Sequence, residues 1–237
     1  DHDWVDYGMA SSQPIVLDKA LAGRKDELKD IKLKNYQYLN EVAIKGETLF
    51  TGSSLMELFP ICEIARSRGI DDIIYNRGIS GLNTDEFLQH IHPLLLDLQP
   101  SKVFINIGTN DMTEEPYGDQ WFQHMMANIS QILEQTLAIL PHTKIYLMAF
   151  YPANLHLPWQ TPASFQWMKL RTPENLDRCN QALEEIAQTY GCHFINCNAD
   201  LVDDRKEQKA EHTYDGVHLY ANAYLKVFEV LEPYLLH

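Results

Sequence analysis

Val103-Phe-Ile-Asn-Ile-Gly-Thr-Asn-Asp111 is a short apolar run closed by a polar turn that glycine opens. A helical pattern over Trp121–Leu140 follows it, so the run reads as a buried strand feeding a crossover helix. The same alternation extends in both directions. The apolar runs are Thr48–Thr51, Ile73–Tyr75, Val103–Ile107, Ile145–Phe150 and His193–Ile195. The helical patterns are Leu55–Arg68, Thr84–Leu98, Trp121–Leu140, Pro173–Tyr190 and Ala221–Leu235. Strands alternating with helices make βαβ units, hence an α/β domain with a five-stranded, doubly wound parallel sheet and right-handed crossovers.

Upstream, residues 1–16 show no clear period and read as an arm. From Leu17 to Leu39, Leu21, Leu28, Ile31, Tyr36 and Leu39 recur at helical spacing among lysines and acids. This predicts an amphipathic helix on the outside of the domain. The expected division is an arm and helix over residues 1–46 and one α/β domain over 47–237. The helix suits a homo-oligomer interface as readily as the domain's own core. Neither an internal repeat nor a low-complexity linker interrupts the chain.

The 237 residues carry a net charge of -14, and no run of lysine or arginine offsets it. That balance repels polyanions and argues against nucleic acid or an anionic membrane as the main partner. It also disfavours strongly anionic substrates. No apolar stretch approaches the roughly 20 residues of a membrane span. Cys62, Cys179, Cys192 and Cys197 form no C-x-x-C pair, which points to reduced thiols and a lean towards the cytoplasm. A secreted protein after signal cleavage would leave the same trace.

In doubly wound sheets, ligands bind outside the carboxyl ends of the strands. Four polar clusters fall there: Gly52-Ser53-Ser54, Asn76-Arg77-Gly78-Ile79-Ser80-Gly81, Gly108-Thr109-Asn110-Asp111 and Asp215-Gly216-Val217-His218. Asp215 stands three positions before His218. A carboxylate so placed can bond one imidazole nitrogen and leave the other free as a base. Ser54, in a strand-to-helix turn, is either a helix cap or a nucleophile activated by that base; Ser53 competes for the role. Gly81 offers a backbone N–H that a substrate can approach, and Asn110 a side-chain amide, two donors suited to an oxyanion. Taken singly, each reads more readily as a turn residue.

In this order, the four blocks resemble the SGNH, or GDSL-type, esterase and lipase family. Asn76-Arg77-Gly78 and Gly108-Thr109-Asn110-Asp111 look most like its platelet-activating-factor acetylhydrolase-like branch. The resemblance runs from about Glu47 to Leu236. It implies a flavodoxin-like three-layer αβα sandwich and ester hydrolysis that needs no cofactor and no metal, on a small-molecule ester. Carried over by position, Ser54 resembles the nucleophile, His218 the base and Asp215 its orienter. The N–H groups of Ser54 and Gly81 and the side chain of Asn110 look like the oxyanion donors. One departure concerns the turn: the family commonly has aspartate where this chain has Ser53.

Between the fourth strand and the next helix, Tyr151–Thr172 carries three prolines with Trp159, Phe165 and Trp167. A long loop on the ligand edge is a candidate lid or pocket wall, and these aromatics are candidate substrate contacts. Two rival readings remain. His212, Asp215 and His218 have the spacing of a metal-ligand set, which would make the protein a metal-dependent hydrolase. The fold also serves a binding module without turnover. P-loop, G-x-G-x-x-G and H-E-x-x-H signatures are all missing.

Overall fold

The computed structural model describes the backbone of residues 14–236 and the side chains of residues 23–236. The expected arm lies outside the described residues up to residue 13. Five strands alternate with helices. Helix α1 (Pro14–Val42) leads into β1 (Thr48–Gly52), α2 (Ser54–Glu57), α3 (Ile61–Ser67) and β2 (Ile74–Asn76). Then come α4 (Thr84–Gln89), α5 (Ile91–Leu94), β3 (Lys102–Asn106), α6 (Trp121–Ile139) and β4 (Lys144–Met148). The chain ends with α7 (Pro162–Met168), α8 (Pro173–Thr189), β5 (His193–Ile195) and α9 (Ala221–Leu235).

All pairings within the sheet are parallel, and the strand order is β2-β1-β3-β4-β5. Side chains alternate between the sheet's faces, so each strand feeds two cores. Leu49, Val103, Ile105, Ile145 and Leu147 pack with α4, α5, α6 and α8. Phe50, Phe104, Tyr146 and Ile195 face α3 and α9. Phe50, Phe104 and Tyr146 sit in register on neighbouring strands and stack with ring centroids 4.6 Å apart. The result is the expected three-layer sandwich.

Two expected helices are broken, each within a few residues of a proline. The Leu55–Arg68 pattern divides into α2 and α3 because Pro60 has no N–H for the Met56 carbonyl. That carbonyl instead accepts from Asn76 Nδ2 at 2.7 Å and Phe59 N at 3.0 Å. The Thr84–Leu98 pattern divides into α4, α5 and a 3-10 turn at Leu96–Leu98, since Pro93 cannot bond back to Gln89.

Helix α1 packs on the domain through one described member of the apolar set its spacing picks out, Tyr36, which lies against the core. Leu28, Ile31 and Leu39 are about half exposed, while Leu33 and Asn40 are buried. The docking is largely polar. Lys29 pairs with Glu86, Lys32 with Glu57, Tyr36 Oη donates to the Gly78 carbonyl at 2.6 Å, and Asn40 Nδ2 to Pro93 O at 2.9 Å. The Arg77 guanidinium bonds Asn40 Oδ1 and lies over the rings of Tyr36 and Tyr75. Arg77 therefore anchors α1, although it sits within a block whose neighbours face the ligand edge.

Candidate active site

The strand order reverses at β1, whose chain continues to β2 on one side and later to β3 on the other. That switch point opens a crevice at the strands' carboxyl ends. The main chains of β1 and β3 approach closely there. A Cβ on Gly52 would lie 1.9 Å from the Asn106 carbonyl oxygen, so no other residue fits. This close approach turns the chain sharply into α2, with Ser53 at its N-cap and Ser54 as its first residue.

Ser54 Oγ lies 3.0 Å from His218 Nε2. His218 Nδ1 lies 2.5 Å from Asp215 Oδ2, and Asp215 Oδ1 accepts the N–H groups of Val217 at 2.9 Å and His218 at 2.8 Å. Burial pulls the Asp215 carboxyl upward, but the bonds from the His218 ring and these two N–H groups outweigh it. The net position is below the usual carboxylate range. Asp215 is thus held as a carboxylate facing the ring. Ser53 is buried, and the serine hydroxyl hydrogen-bonded to His218 is that of Ser54.

The Asp215–His218 turn is shaped by Gly216. Its φ is +96°, and a Cβ there would lie 2.3 Å from the Asn154 carbonyl oxygen. Gly216 O accepts from Asn154 N at 2.8 Å, and Thr213 Oγ1 bridges Gly216 N and His218 O at 2.9 and 2.7 Å. Tyr214 stacks on the His218 ring at 5.9 Å between centroids.

Ser54, Gly81, Asn110 and His218 line one cavity of about 560 Å³. Asn110 Nδ2 donates to Leu82 O at 2.9 Å, and its Oδ1 accepts from Arg171 Nη2 at 3.3 Å. An amide has two N–H groups, so one remains for a ligand. Asp111 fastens the same turn to α4 by accepting from Thr84 N at 2.9 Å and from Thr84 Oγ1. Burial raises the Asp111 carboxyl to about 6.

Of Trp159, Phe165 and Trp167 in the Tyr151–Thr172 segment, Trp167 reaches the cavity and the other two do not. Trp159 Nε1 instead donates to Tyr214 O at 2.8 Å, tying the segment to the turn that carries Asp215. Two cationic side chains on the cavity wall were not legible in the sequence. Arg171 is 5 % exposed, with its guanidinium 5.0 Å from the Trp167 ring centroid. Burial lowers its pKa to about 10, and the charge of Asp215 opposes that shift. Lys25 comes from the exposed side of α1.

His212, Asp215 and His218 do not converge on a metal. His212 is buried with Nδ1 3.2 Å from Gln208 Oε1, and both His218 nitrogens are engaged as above. Among the described residues no group of three His, Cys, Asp or Glu side chains is arranged to hold one. A larger groove of about 650 Å³, between α1 and the Leu96–Leu98 turn, holds His92 but neither serine nor cysteine.

The sequence model of the GDSL-like lipase/acylhydrolase family matches residues 63–225. The chain belongs to this family. It is accordingly an ester-hydrolysing enzyme, an esterase or acylhydrolase. The matched span contains the Asn76–Gly81, Gly108–Asp111 and Asp215–His218 blocks but starts after Ser54, so the case for that serine rests on its position beside His218.

Solved structures agree with the family's fold. A protein from Streptococcus pneumonia, provisionally named a platelet activating factor, is 26% identical with a TM-score of 0.82. That alignment covers 94% of this chain and 100% of the other. A GDSL-like lipase from Bacteroides thetaiotaomicron is 23% identical with a TM-score of 0.70, covering 86% of this chain and 97% of its own. A catalytic mutant of an acetylxylan esterase from Geobacillus stearothermophilus is 14% identical with a TM-score of 0.61, covering 81% and 95%. The last two likenesses concern the fold alone. No curated protein matches the sequence. No helix among the described residues is long and apolar enough to cross a membrane.

Proposed function

We propose that this family member is a serine esterase acting on short-chain carboxylic esters through an acyl-enzyme. Ser54 is the nucleophile, His218 the base and Asp215 its orienter. The observation that carries this reading is the chain of contacts Ser54 Oγ, His218 and Asp215 at 3.0 and 2.5 Å, opening onto a cavity. Catalytic mutants of the Geobacillus esterase replace a serine and an aspartate, which agrees with the choice of residue types.

His218 Nε2 takes the proton from Ser54 Oγ as the oxygen attacks the ester carbonyl. The oxyanion faces three donors: Ser54 N–H, Gly81 N–H and the second Asn110 N–H. No acceptor among the described residues takes the first two. The imidazolium, stabilised by Asp215, protonates the leaving alcohol. Water then enters and gives its proton to His218 as its oxygen attacks the acyl carbon, and His218 returns that proton to Ser54 Oγ as the acyl bond breaks and the acid leaves.

The preference for short acyl groups rests on the lining. Val217 and Trp167 are the apolar side chains on the cavity wall, and burying each methylene contributes only about 0.8 kcal/mol where apolar surface receives it. That suits an acetyl or similarly small acyl group, including one carried on a sugar, better than a long lipid chain. Turnover of p-nitrophenyl acetate should fall by at least about 10⁴-fold in Ser54→Ala with unchanged thermal unfolding. If Ser53→Ala is the inactive variant and Ser54→Ala retains turnover, the assignment fails.

A further inference from the structure

The chain has 33 acidic residues against 19 lysines and arginines, yet the wall of its cavity carries Arg171 and Lys25 and no carboxylate. Arg171 is the more informative of the two. A buried cation is retained at a cost unless something in the site uses it. None of the ion pairs among the described residues includes Arg171. Among those residues the hydrogen bonding of its guanidinium amounts to one contact, Nη2 to Asn110 Oδ1, and its Nε has no partner. Asp215 is the acid whose charge it feels, and that carboxylate is already committed to His218 and two N–H groups.

Holding an amide oxygen does not require a full charge, since a neutral donor does it without the desolvation cost. The charge is explained if an anion enters the cavity. The Trp167 ring centroid lies 5.0 Å from the guanidinium carbon, a cation–π contact that occupies one side of the group and leaves its N–H fork for hydrogen bonding. Planar forks of this kind match carboxylates. Lys25, on the exposed side of α1, adds a second positive charge at the rim, where a net charge of -14 would otherwise repel an anion. That same field weighs against multiply charged groups and favours a monoanion.

We propose that the cavity selects esters that carry a carboxylate in addition to the scissile ester, with Arg171 as its inner anchor and Lys25 at the rim. This rests on the serine esterase reading and names its substrate class. It reverses the expectation drawn from overall charge that anionic substrates are disfavoured.

Pairs of substrates that differ only in carboxylate against carboxamide provide the test. 4-Acetoxybenzoate and 4-acetoxybenzamide place the group on the alcohol side. The p-nitrophenyl monoesters of adipic acid and adipamic acid place it on the acyl side. In the wild-type full chain, kcat/KM for the carboxylate exceeds that for the amide in at least one pair by about ten-fold or more, the scale of a charge-assisted bond. Arg171→Gln brings that ratio to about one. Lys25→Gln, a change at an exposed position, lowers it two- to three-fold. If Arg171→Gln does not fold, Arg171→Lys replaces it, and the lost fork still reduces the ratio several-fold. A ratio at or below one in both wild-type pairs overturns the proposal. So does an Arg171 variant that slows both members of a pair equally, because the residue would then act through Asn110 alone. Ser54→Ala separates the two readings: turnover surviving in that variant sinks the nucleophile assignment, whatever the ratios are.

Discussion

Replacing Asn110 by alanine and by aspartate separates a catalytic amide from one that merely holds its turn. In the structure one N–H of Asn110 is committed to Leu82 O at 2.9 Å and its oxygen to Arg171 Nη2 at 3.3 Å. The second N–H is the one assigned to the oxyanion. Loss of one such donor is worth roughly 2.7–4 kcal/mol in the transition state, so Asn110→Ala should lower kcat by about 10²–10³. An interaction made only in the transition state leaves KM nearly unchanged. The same substitution strips partners from Leu82 O and Arg171. Water from the adjoining cavity can replace them, so the stability loss should be about 1 kcal/mol.

Aspartate reverses the balance between the two effects. Its carboxylate accepts from Arg171 at least as well as the amide does, because both partners are then charged. That gain offsets the lost bond to Leu82, and the unfolding free energy should stay within about 1 kcal/mol of wild type. Turnover should nevertheless fall by more than about 10³-fold, since the carboxylate has no N–H and sets a negative charge against the oxyanion. Steady-state kinetics on p-nitrophenyl acetate and urea unfolding of both variants are sufficient. An Asn110→Asp protein that is folded and within ten-fold of wild-type kcat would falsify the oxyanion assignment, as would an alanine variant whose defect lies in KM.

Asp111 gives a pH test. Its carboxyl titrates near 6 when folded and near 3.9 in an unfolded chain, so the folded state binds the extra proton between those values. Stability from this group is present below about pH 4 and is lost as pH rises through 6, by about 2 kcal/mol after allowing for partial exposure. Urea titrations from pH 4 to 7 should show wild type declining by that amount relative to Asp111→Asn; parallel curves would refute the argument. Gly216→Ala meets both a φ of +96° and a carbonyl 2.3 Å away. It should lose about 2–4 kcal/mol and most turnover, and a variant with wild-type melting would show that the turn is not constrained. Trp167→Ala should alter the profile of activity against ester chain length, whereas Trp159→Ala, whose side chain bonds Tyr214 O outside the cavity, should not. Identical profiles for wild type and Trp167→Ala would remove Trp167 from the substrate wall.

Sheet and cover helices were legible because they follow hydrophobic periodicity. β5 at His193–Ile195 and α9 at Ala221–Leu235 lie where the pattern puts them, and every other strand is displaced by no more than two residues at either end. The two broken helices were visible in principle, since Pro60 and Pro93 stand inside the apolar patterns that masked them. The buried face of α1 was not. Its spacing favours Leu28, Ile31 and Leu39 as much as Tyr36, but the helix docks through lysine pairs, the Tyr36 hydroxyl and Asn40. Hydropathy cannot rank polar contacts whose partners lie dozens of residues away. Asp215 and His218 could be paired from sequence because their contact is local. Joining them to Ser54, 164 positions earlier, took a family resemblance.

Arg171 and Lys25 show why an average charge is a poor guide to a site. The value of -14 describes a field felt outside the protein, which salt screens within about 8 Å at physiological strength. A ligand in the cavity is much nearer to its wall than that. It meets a guanidinium largely shielded from water, where a single charge outweighs many distant ones. The two levels therefore act on different steps. Surface acidity slows the approach of an anionic ester, and the cavity decides what remains once it arrives. The placement of Lys25 follows from the same division: a cation on the exposed side of α1 sits where the repulsive outer field gives way to the attractive inner one. This also assigns α1 a part in selectivity. The polar contacts that fix its angle on the domain, among them Lys29 with Glu86 one helical turn from Lys25, set how far Lys25 stands from the entering substrate.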